Sequence, residues 1–312
     1  MNILVTGGTG FIGSNLLDKL LKKKYNVVLL KRKTSNTWRI RHITNKIRMY
    51  DIDLSTDYDA IIKKEKTKVI IHLAGKYIKQ HKSREELKEL IDSNITFPSL
   101  LLDSAVRNDV KIFVNTGTFF EYELKGKIDE NSLRKPYDYY AVTKMAFETI
   151  LKFYSANSNM KTATLKLFSP YGEKDNEKVI PLIIKCFLKR QPLFLTKGNQ
   201  KLSFTYVDDI IVAYLKALDY LNNIKAPYYA NFNIGSNKSV SIKEIVSLVR
   251  QLCKQNDMVN FGAVNNPKDE GLNITCDSSL AQSLLKWRAQ YSIKSGLKKT
   301  IKYYKNELLN KA

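Results

Sequence analysis

The sequence predicts an α/β fold of the doubly wound, parallel-sheet type, followed by a smaller C-terminal region. Strand-like and helix-like segments alternate through the first half of the chain, and a cluster of glycines directly follows the first strand. With 312 residues, of which 44% are hydrophobic, the chain is long enough to bury a large core.

Hydrophobic periodicity predicts the elements of the first half. Short runs rich in Val, Ile and Leu predict strands over residues 2–6, 26–30, 69–73, 111–115 and 161–167. Apolar residues at three- and four-residue spacing predict helices over residues 12–23, 58–66, 85–108 and 140–157.

The second half of the chain is less regular. After Phe168, prolines and glycines separate shorter elements, which predicts a region lying over the carboxyl edge of the sheet. Residues 204–221 are typical of a strand, an Asp-Asp N-cap and a helix, so we expect the chain to return to the first domain there. The predicted organisation is a sheet domain over residues 1–167, with a return segment at about 204–222, and a second region that comprises mainly residues 168–312.

Composition limits the classes of partner. The formal net charge is +22, but the lysines are spread through every predicted helix, which indicates solvated helix faces and no nucleic-acid partner. The apolar runs are far shorter than the roughly 20 residues that cross a bilayer, and no secretory leader precedes the first strand. Cys186, Cys253 and Cys276 lack metal-ligand spacing. We therefore expect a cytoplasmic protein with reduced thiols, no metal site and no membrane partner.

The glycine cluster carries the first functional signal. Gly7, Gly10 and Gly13 follow the first strand and open the first helix, the context of a Rossmann-type dinucleotide site. Gly7 permits the tight turn, Gly10 lets the backbone approach a pyrophosphate at the helix N-terminus, and Gly13 allows close packing of helix on strand. The first domain is therefore predicted to bind a dinucleotide, and the second region is predicted to bind the substrate.

The end of the second strand indicates which dinucleotide is bound. Enzymes that use NAD place an acidic side chain there to accept from the ribose 2′-hydroxyl. Here the chain has Lys31, Arg32 and Lys33 followed by Thr34 and Ser35. Cations and hydroxyls in place of a carboxylate are suited to a 2′-phosphate, so the sequence predicts NADP(H).

A tyrosine and a lysine provide the candidate proton-transfer pair. Tyr140 and Lys144 are four residues apart on a predicted helix, which places both side chains on one face. A free phenol has a pKa of about 10, and a nearby ammonium stabilises its phenolate. The pair is therefore predicted to transfer a proton at the substrate while Lys144 also binds the nicotinamide ribose.

These motifs resemble those of the extended short-chain dehydrogenases, the NAD-dependent epimerase/dehydratase family. Residues 6–13 resemble its TGGTGFIG signature, residues 140–144 its Y-x-x-x-K, and residues 165–172 its L-R-x-F-N-x-Y-G, and further matches run to residues 296–301. The resemblance implies a nicotinamide dinucleotide bound by Gly7, Gly10, Phe11, Ile12, Gly13, Lys31, Arg32, Ser35, Asp51, Ile52, Leu73, Ala74, Gly75, Thr116, Tyr140, Lys144 and Phe168. In this family the residue matching Asp51 accepts from the adenine amino group.

The family alignment also implies a catalytic hydroxyl. Residues 113–122 resemble the family strand end F-x-x-S-S-S-x-x-V-Y-G, which places Thr118 on the catalytic Ser/Thr, with Thr116 as the alternative if the register slips by two residues. The resemblance thus implies a catalytic set of Thr118, Tyr140 and Lys144. Sugar-nucleotide dehydratases of the family have Asp and Glu after this position, whereas here Phe119 and Phe120 follow, so elimination of water lacks its acid and base.

The chain departs from the family pattern where relatives anchor a nucleotide diphosphate. The arginine of Q-x-R-D-F is Leu202, the asparagine of F-N-x-Y-G is Ser169, and a later arginine falls at Pro267 or Lys268. The residues that replace them in substrate binding are predicted to be drawn from Thr118, Phe119, Ser169, Lys178, Lys201 and Lys268.

Among the family's reactions, the resemblance favours a reduction. The residues after Asn115 and the cations after the second strand look most like the 4-ketoreductases of dideoxyhexose synthesis, of the CDP-abequose synthase type. This implies an NADPH-dependent reductase of a nucleotide-activated 4-keto-6-deoxysugar in the synthesis of surface polysaccharide such as O-antigen. Two alternatives stay open: a nucleotide-sugar epimerase with tightly held NAD(P), and a non-catalytic NADP-binding scaffold. Relatives of this type also dimerise through the helix of Tyr140 and the helix near residues 87–108, which implies a homodimer.

Overall fold

The central layer is a parallel sheet of seven strands. The computed structural model describes residues 1–78, 80–175, 178–265 and 272–309. The sheet has the order β12-β7-β5-β4-β1-β2-β3, and every neighbouring pair in it is parallel. Its strands are β1 (Asn2–Thr6), β2 (Asn26–Lys31), β3 (Arg48–Asp51), β4 (Val69–His72), β5 (Ile112–Thr118), β7 (Lys161–Leu167) and β12 (Tyr228–Ile234). This topology confirms the predicted doubly wound fold.

Ten helices flank the sheets within the described residues. They are α1 (Phe11–Lys22), α2 (Tyr58–Lys64), α3 (Arg84–Ile91), α4 (Phe97–Arg107), α5 (Tyr139–Ala156), α6 (Val179–Lys189), α7 (Val207–Asn223), α8 (Ile242–Cys253), α9 (Ser279–Leu285) and α10 (Ile293–Leu309). Short helical turns cover Trp38–Lys46, Asp92–Thr96 and Phe119–Glu121.

Alternation along each strand builds two apolar layers. In β1, Ile3 and Val5 pack into the cluster that contains α1 and α7, whereas Leu4 faces the cluster that contains α2, α4 and α5. All three side chains are fully buried. A parallel sheet covered on both faces requires such continuous apolar strands. The hydrophobic runs in the sequence therefore locate β1, β2, β4 and β7 to within one residue, whereas β5 extends three residues beyond its predicted end.

Two strands of this sheet were not indicated by the sequence pattern. β3 has a mostly exposed side-chain pattern, and β12 is fully buried only over its last three residues. One of those, Asn233, is polar, and its carboxamide oxygen accepts from the Tyr122 hydroxyl at 2.9 Å. Edge strands with polar side chains lack the apolar run on which strand prediction depends.

The remaining strands form three small sheets. One has the order β13-β10-β15-β6, and two further sheets pair β11 with β8 and β14 with β9. Their bounds are β6 (Lys125–Ile128), β8 (Pro170–Tyr171), β9 (Leu193–Leu195), β10 (Lys201–Leu202), β11 (Thr205–Tyr206), β13 (Val240–Ser241), β14 (Val259–Phe261) and β15 (Asn273–Cys276). The functional division between residues 1–167 and 168–312 stays a prediction.

The predicted Asp-Asp cap of the return helix is wrong. Tyr206 is the N-cap of α7, and its side chain makes no capping bond. Asp208 and Asp209 lie within the first turn, where negative charge favours the helix dipole. Asp209 instead accepts from the backbone N–H groups of Gln290 and Tyr291, both at 3.0 Å, and so fastens the C-terminal segment to α7.

The first βα turn depends on a glycine at its third position. A Cβ on Gly13 would lie 2.2 Å from the Gly7 oxygen and 2.7 Å from the Gly8 Cα, both backbone atoms that cannot move aside cheaply. We expect Gly13→Ala to lower the free energy of unfolding by about 3 kcal/mol or more. The matched control is Gly10→Ala, since a Cβ there meets only the Gly7 oxygen, at 3.2 Å. Denaturant unfolding of both variants tests this, and equal stability would contradict it.

Candidate active site

A large cavity opens at the carboxyl ends of β1, β2 and β4, where ligands bind in doubly wound sheets. Its volume is about 590 Å³. It is lined by Gly7, Thr9, Gly10, Leu30, Lys31, Arg32, Lys33, Thr34, Ser35, Ile52, Asp53, Leu54, Leu73, Ala74, Gly75, Lys76, Asp92, Ser93 and Phe97. The glycine loop and the end of the second strand, which were predicted separately from the sequence, therefore line the same cavity.

The glycine loop presents its backbone to this cavity. Gly7 has a φ of +70°, and a Cβ there would lie 2.5 Å from the Ala74 nitrogen, so the loop touches the end of β4 directly. Gly10 is the N-cap of α1, and its N–H donates to the Gly7 oxygen at 3.0 Å. The tight turn and the close approach fit a pyrophosphate placed at the N-terminus of α1.

The corner beyond β2 is strongly basic. Lys31 forms an ion pair with Asp51, its neighbour on β3, so the Asp51 carboxylate partly offsets its positive charge. Arg32 and Lys33 carry no such ion pair within the described residues, and they line the cavity with the hydroxyl of Ser35. Asp53 lines the cavity instead of Asp51, and hydrogen bonds from Ser55 lower the pKa of its carboxyl.

The floor of the cavity is fixed by hydrogen bonds from β1 to β4. The Thr6 hydroxyl lies 2.8 Å from His72 Nδ1 and accepts from the Ala74 N–H at 3.2 Å. His72 is fully buried among aromatic rings, including Phe147 at 5.6 Å, and burial holds the pKa of its imidazole well below the usual value. This geometry is that of a packed structural histidine.

Tyr140 and Lys144 lie on the first turns of α5. Asp138 is the N-cap, and its carboxylate accepts from the Ala141 N–H at 2.8 Å, so the helix begins one residue earlier than predicted. Lys144 is buried, which lowers the pKa of its ammonium to about 8, while the Glu121 carboxylate opposes that shift. Burial raises the pKa of the Tyr140 phenol, whose ring packs edge-on against Tyr77 at 5.0 Å.

A π-helical turn connects α5 to the cavity. The predicted helix over residues 85–108 is interrupted at Asp92–Thr96, a turn of a kind frequent at functional sites. From this turn Asn94 accepts from the Lys76 N–H at 2.8 Å and donates to the Thr143 hydroxyl at 2.9 Å. A Cβ on Gly75 would lie 3.2 Å from Asn94 Oδ1 and 3.8 Å from Lys144 Nζ, so the ammonium reaches the cavity wall.

The structure distinguishes the two candidate threonines of β5. The Thr116 hydroxyl donates to the His72 oxygen at 2.8 Å and lies 2.6 Å from the buried Tyr214 hydroxyl. Its one proton is therefore committed to the fold. The Thr118 hydroxyl accepts from the Phe120 N–H at 3.3 Å, and its own proton has no acceptor among the described contacts.

Aromatic side chains surround the segment after Thr118. Phe119 stacks on the buried Phe168 at 5.2 Å, and Phe120 stacks on Tyr137 at 5.4 Å. The nearby carboxylate, Glu121, is fully buried and ion-paired. Within the described residues this segment therefore offers no carboxylate free to expel water from a sugar.

The predicted substrate residues are dispersed. Lys178 Nζ lies 5.6 Å from the centre of the Phe11 ring and 3.4 Å from the Pro170 oxygen, between the glycine loop and the neighbouring Ser169. Lys201 is exposed in β10, and its charge adds to the hydrogen bonds from Ser241 that lower the pKa of Glu244. Lys268 lies outside the described residues.

Several predicted cofactor residues are not among the residues that line the cavity. They are Phe11, Ile12, Gly13, Asp51, Thr116, Tyr140, Lys144 and Phe168. Sequence reasoning missed lining residues contributed by the π-turn and by the loops after β3 and β4, namely Asp53, Leu54, Lys76, Asp92, Ser93 and Phe97. The sequence signal for them is their position at the carboxyl ends of strands, which requires β3 to be recognised as a strand.

The fold and the site together define an enzyme of the extended short-chain dehydrogenase type. Residues 3–235 match the model described as the NAD dependent epimerase/dehydratase family, and the chain belongs to this family. It is 29% identical to CDP-abequose synthase of Salmonella muenchen over 304 residues, covering 96% of both chains. It is 30% identical to a putative UDP-glucose 4-epimerase of Methanocaldococcus jannaschii, covering 97% of this chain and 98% of that one.

Solved structures agree with the fold. UDP-glucuronic acid 4-epimerase of Bacillus cereus, in complex with UDP-glucuronic acid and NAD, superposes with a TM-score of 0.85 at 27% identity over 98% of this chain and all of that one. UDP-glucose 4-epimerase of Thermotoga maritima, with UDP-glucose, gives a TM-score of 0.88 at 23% identity over 99% of this chain and all of that one. Among the described residues no helix is long and apolar enough to span a membrane, and no acidic, His or Cys cluster is arranged to hold a metal.

Proposed function

We propose that the protein is an NADPH-dependent reductase of a nucleotide-activated 4-keto-6-deoxysugar. The observation that carries the proposal is the cavity corner beyond β2, where Arg32, Lys33 and Ser35 stand in place of an acidic ribose acceptor. The UDP-glucuronic acid 4-epimerase of Bacillus cereus has NAD in its structure, and an epimerase regenerates its cofactor in each cycle. A reductase consumes a hydride per turnover, and a 2′-phosphate site directs it to NADPH.

The residues at the end of β5 and in the first turns of α5 support proton donation. The nicotinamide, when bound, supplies the hydride. Tyr140 donates its phenolic proton to the carbonyl oxygen of the sugar, and the unassigned proton of Thr118 forms a hydrogen bond to the same oxygen. Lys144 stabilises the phenolate left behind and binds the nicotinamide ribose, in keeping with its position beside Gly75.

Substrate binding is proposed to use a nucleotide diphosphate held near Lys178 and Ser169. The Lys178 ammonium lies over the ring of Phe11, the residue that begins α1 after the glycine loop. Ser169 adopts a φ of +33°, a backbone conformation in which asparagine, the family residue, is favoured. The resemblance to CDP-abequose synthase supports a CDP-linked 4-keto-6-deoxysugar and a place in surface polysaccharide synthesis.

A nucleotide-sugar epimerase is the second candidate. The identity to a putative UDP-glucose 4-epimerase and the superposition on epimerases favour it. Adding CDP-4-keto-6-deoxyglucose to protein and NADPH separates the two: a reductase removes the 340 nm absorbance stoichiometrically, whereas an epimerase leaves it unchanged. An epimerase would also release tightly bound NAD when freshly purified protein is denatured. A non-catalytic scaffold would do neither, and the complete set of Thr118, Tyr140 and Lys144 argues against it.

The two threonines of β5 should separate catalysis from stability. We expect Thr118→Val to lower kcat by about 100-fold, because a donor to the developing alkoxide is lost. Thr116→Val should leave kcat within a few-fold but lower the free energy of unfolding by about 1–3 kcal/mol, because it removes a hydrogen bond to the His72 carbonyl and the hydroxyl that partners the buried Tyr214 hydroxyl. Steady-state rates and denaturant unfolding of both variants measure this. A larger kcat loss in Thr116→Val would reverse the assignment.

A cytoplasmic homodimer is the proposed form of the enzyme. Leu100 on α4 and Val142 and Phe153 on α5 are large apolar side chains with 41%, 41% and 65% of their surface exposed. These helices are the ones through which relatives dimerise. The three cysteines are unpaired, as expected of a protein in a reducing compartment. Sedimentation equilibrium tests the proposal, and a monomer at micromolar concentration would refute it.

A further inference from the structure

Four charged side chains form a buried ion cluster behind the candidate active site. Lys166 of β7 contacts the carboxylates of both Glu121 and Glu148. Arg134 reaches the same two carboxylates, with Nη1 2.7 Å from Glu121 and Nη2 3.3 Å from Glu148. Lys166 and Glu121 are fully buried and Glu148 is 4% exposed. Burying charges costs free energy even when they are paired, and apolar side chains would fill this space at a lower cost. We therefore look for a role of the cluster other than stabilising the fold.

The cluster connects the two elements that carry the catalytic candidates. Glu121 Oε1 accepts from the Thr118 N–H at 2.9 Å, while the Thr118 hydroxyl accepts from the Phe120 N–H, so the two side chains form a reciprocal capping box. Gly117 leaves room for this carboxylate, because a Cβ there would lie 3.0 Å from Glu121 Oε1. Glu148 lies on α5, one turn beyond Lys144. The strand end with Thr118 and the helix with Tyr140 are thereby held to each other through charges.

We propose that Glu121 is a positioning residue of the active site: its buried carboxylate accepts from the Thr118 N–H and so fixes the turn that carries the Thr118 hydroxyl. This inference rests on the proposed function, because the place of that hydroxyl matters only where it binds the oxygen of the sugar.

The contacts of Glu121 show in which charge state it acts. Its partners are the Thr118 N–H, the Lys166 ammonium and the Arg134 guanidinium, all of which donate. Burial raises the pKa of the Glu121 carboxyl, but none of these partners could accept a proton from it. We therefore treat Glu121 as a carboxylate at neutral pH, with the charges of the cluster balanced by Lys166 and Arg134.

Two double variants differ only in the acceptor that faces the Thr118 N–H. Glu121→Gln/Lys166→Met keeps an oxygen at that place, and Glu121→Met/Lys166→Met does not. Each variant removes one charge of each sign and leaves Arg134 paired with Glu148. We expect the second variant to have a kcat about 10-fold below that of the first with NADPH and CDP-4-keto-6-deoxyglucose, because the Thr118 hydroxyl is no longer held in place. The ratio should fall to about one when Thr118→Val is added to both, because the turn then carries no hydroxyl to position.

Hydrogen exchange of the Thr118 amide, followed by NMR without substrate, gives a second readout. Exchange should be faster in Glu121→Met/Lys166→Met than in Glu121→Gln/Lys166→Met, because the amide has lost its acceptor. Glu148→Gln is the matched control, because it removes a carboxylate of the same cluster without touching the Thr118 N–H. It should lower stability and leave the order of the two exchange rates unchanged.

Equal kcat and equal exchange rates in the two double variants, or a kcat ratio that persists after Thr118→Val, would overturn the inference. Wild-type protein that does not oxidise NADPH with the sugar would instead refute the proposed function, and exchange of the Thr118 amide would still decide the role of Glu121.

Discussion

Tyr140→Phe should reduce kcat by about 10²- to 10⁴-fold while leaving the fold and the affinity for NADPH nearly unchanged. The variant removes the one proton that the proposed reduction takes from the protein, yet it keeps the aromatic ring that packs against Tyr77. Single-turnover oxidation of NADPH at 340 nm measures the chemical step, and quenching of protein fluorescence measures cofactor binding.

Tyr139→Phe is the matched control for this prediction. Tyr139 is the preceding residue of α5, and its ring packs against His81 at 5.2 Å rather than against Tyr77. It should retain kcat within about a factor of two, the small effect usual for a change away from the reacting atoms. Equal rates in Tyr140→Phe and the wild type would remove Tyr140 from the mechanism.

Arg32→Ala should raise the Kd for NADPH by about 10- to 100-fold, since a charge-assisted hydrogen bond contributes about 1.5–3 kcal/mol. The Kd for NADH should change little, because NADH has no 2′-phosphate. Arg32 lines the cavity directly after β2, and Lys31, which precedes it, is already ion-paired with Asp51. Titration of both dinucleotides by fluorescence measures the ratio.

Arg41→Ala controls for the loss of one positive charge. Arg41 is exposed on the helical turn Trp38–Lys46 and does not line the cavity. Its removal should leave both dissociation constants within about two-fold, because the side chain is exposed and does not line the cavity, and salt screens exposed charges. A parallel loss of NADPH and NADH affinity in Arg32→Ala would show that Arg32 does not recognise the 2′-phosphate.

The features of this protein that could be predicted from its sequence are those for which the local structure accepts only a few residue types. Gly7 and Gly13 contact backbone atoms so closely that side chains are excluded, and such positions appear as a fixed glycine spacing. The buried parallel strands appear as apolar runs because side chains on both faces of the sheet are covered. The doubly wound fold and the family membership, both confirmed, depend on these features.

Features that depend on contacts distant in sequence could not be predicted. Glu121 and Lys166 are 45 residues apart, and nothing near either residue indicates that they meet in the interior. Asn94 of the π-turn has its hydrogen-bond partners, Lys76 and Thr143, on other segments, so a local pattern does not indicate them. The roles of Thr118, Tyr140 and Lys144 stay predictions, which the structure supports by bringing Lys144 to the cavity and leaving the Thr118 proton uncommitted.

Transfer of deuterium from [4-²H]NADPH to the sugar tests the reductase proposal most directly. The protein is incubated with both stereospecifically labelled forms of the cofactor and with CDP-4-keto-6-deoxyglucose, and the sugar is analysed by mass spectrometry and NMR. One form should deliver one deuterium to C4 for each NADP⁺ produced, and Tyr140→Phe should abolish the transfer. A sugar product that carries no deuterium, or that forms without consumption of NADPH, would contradict the account.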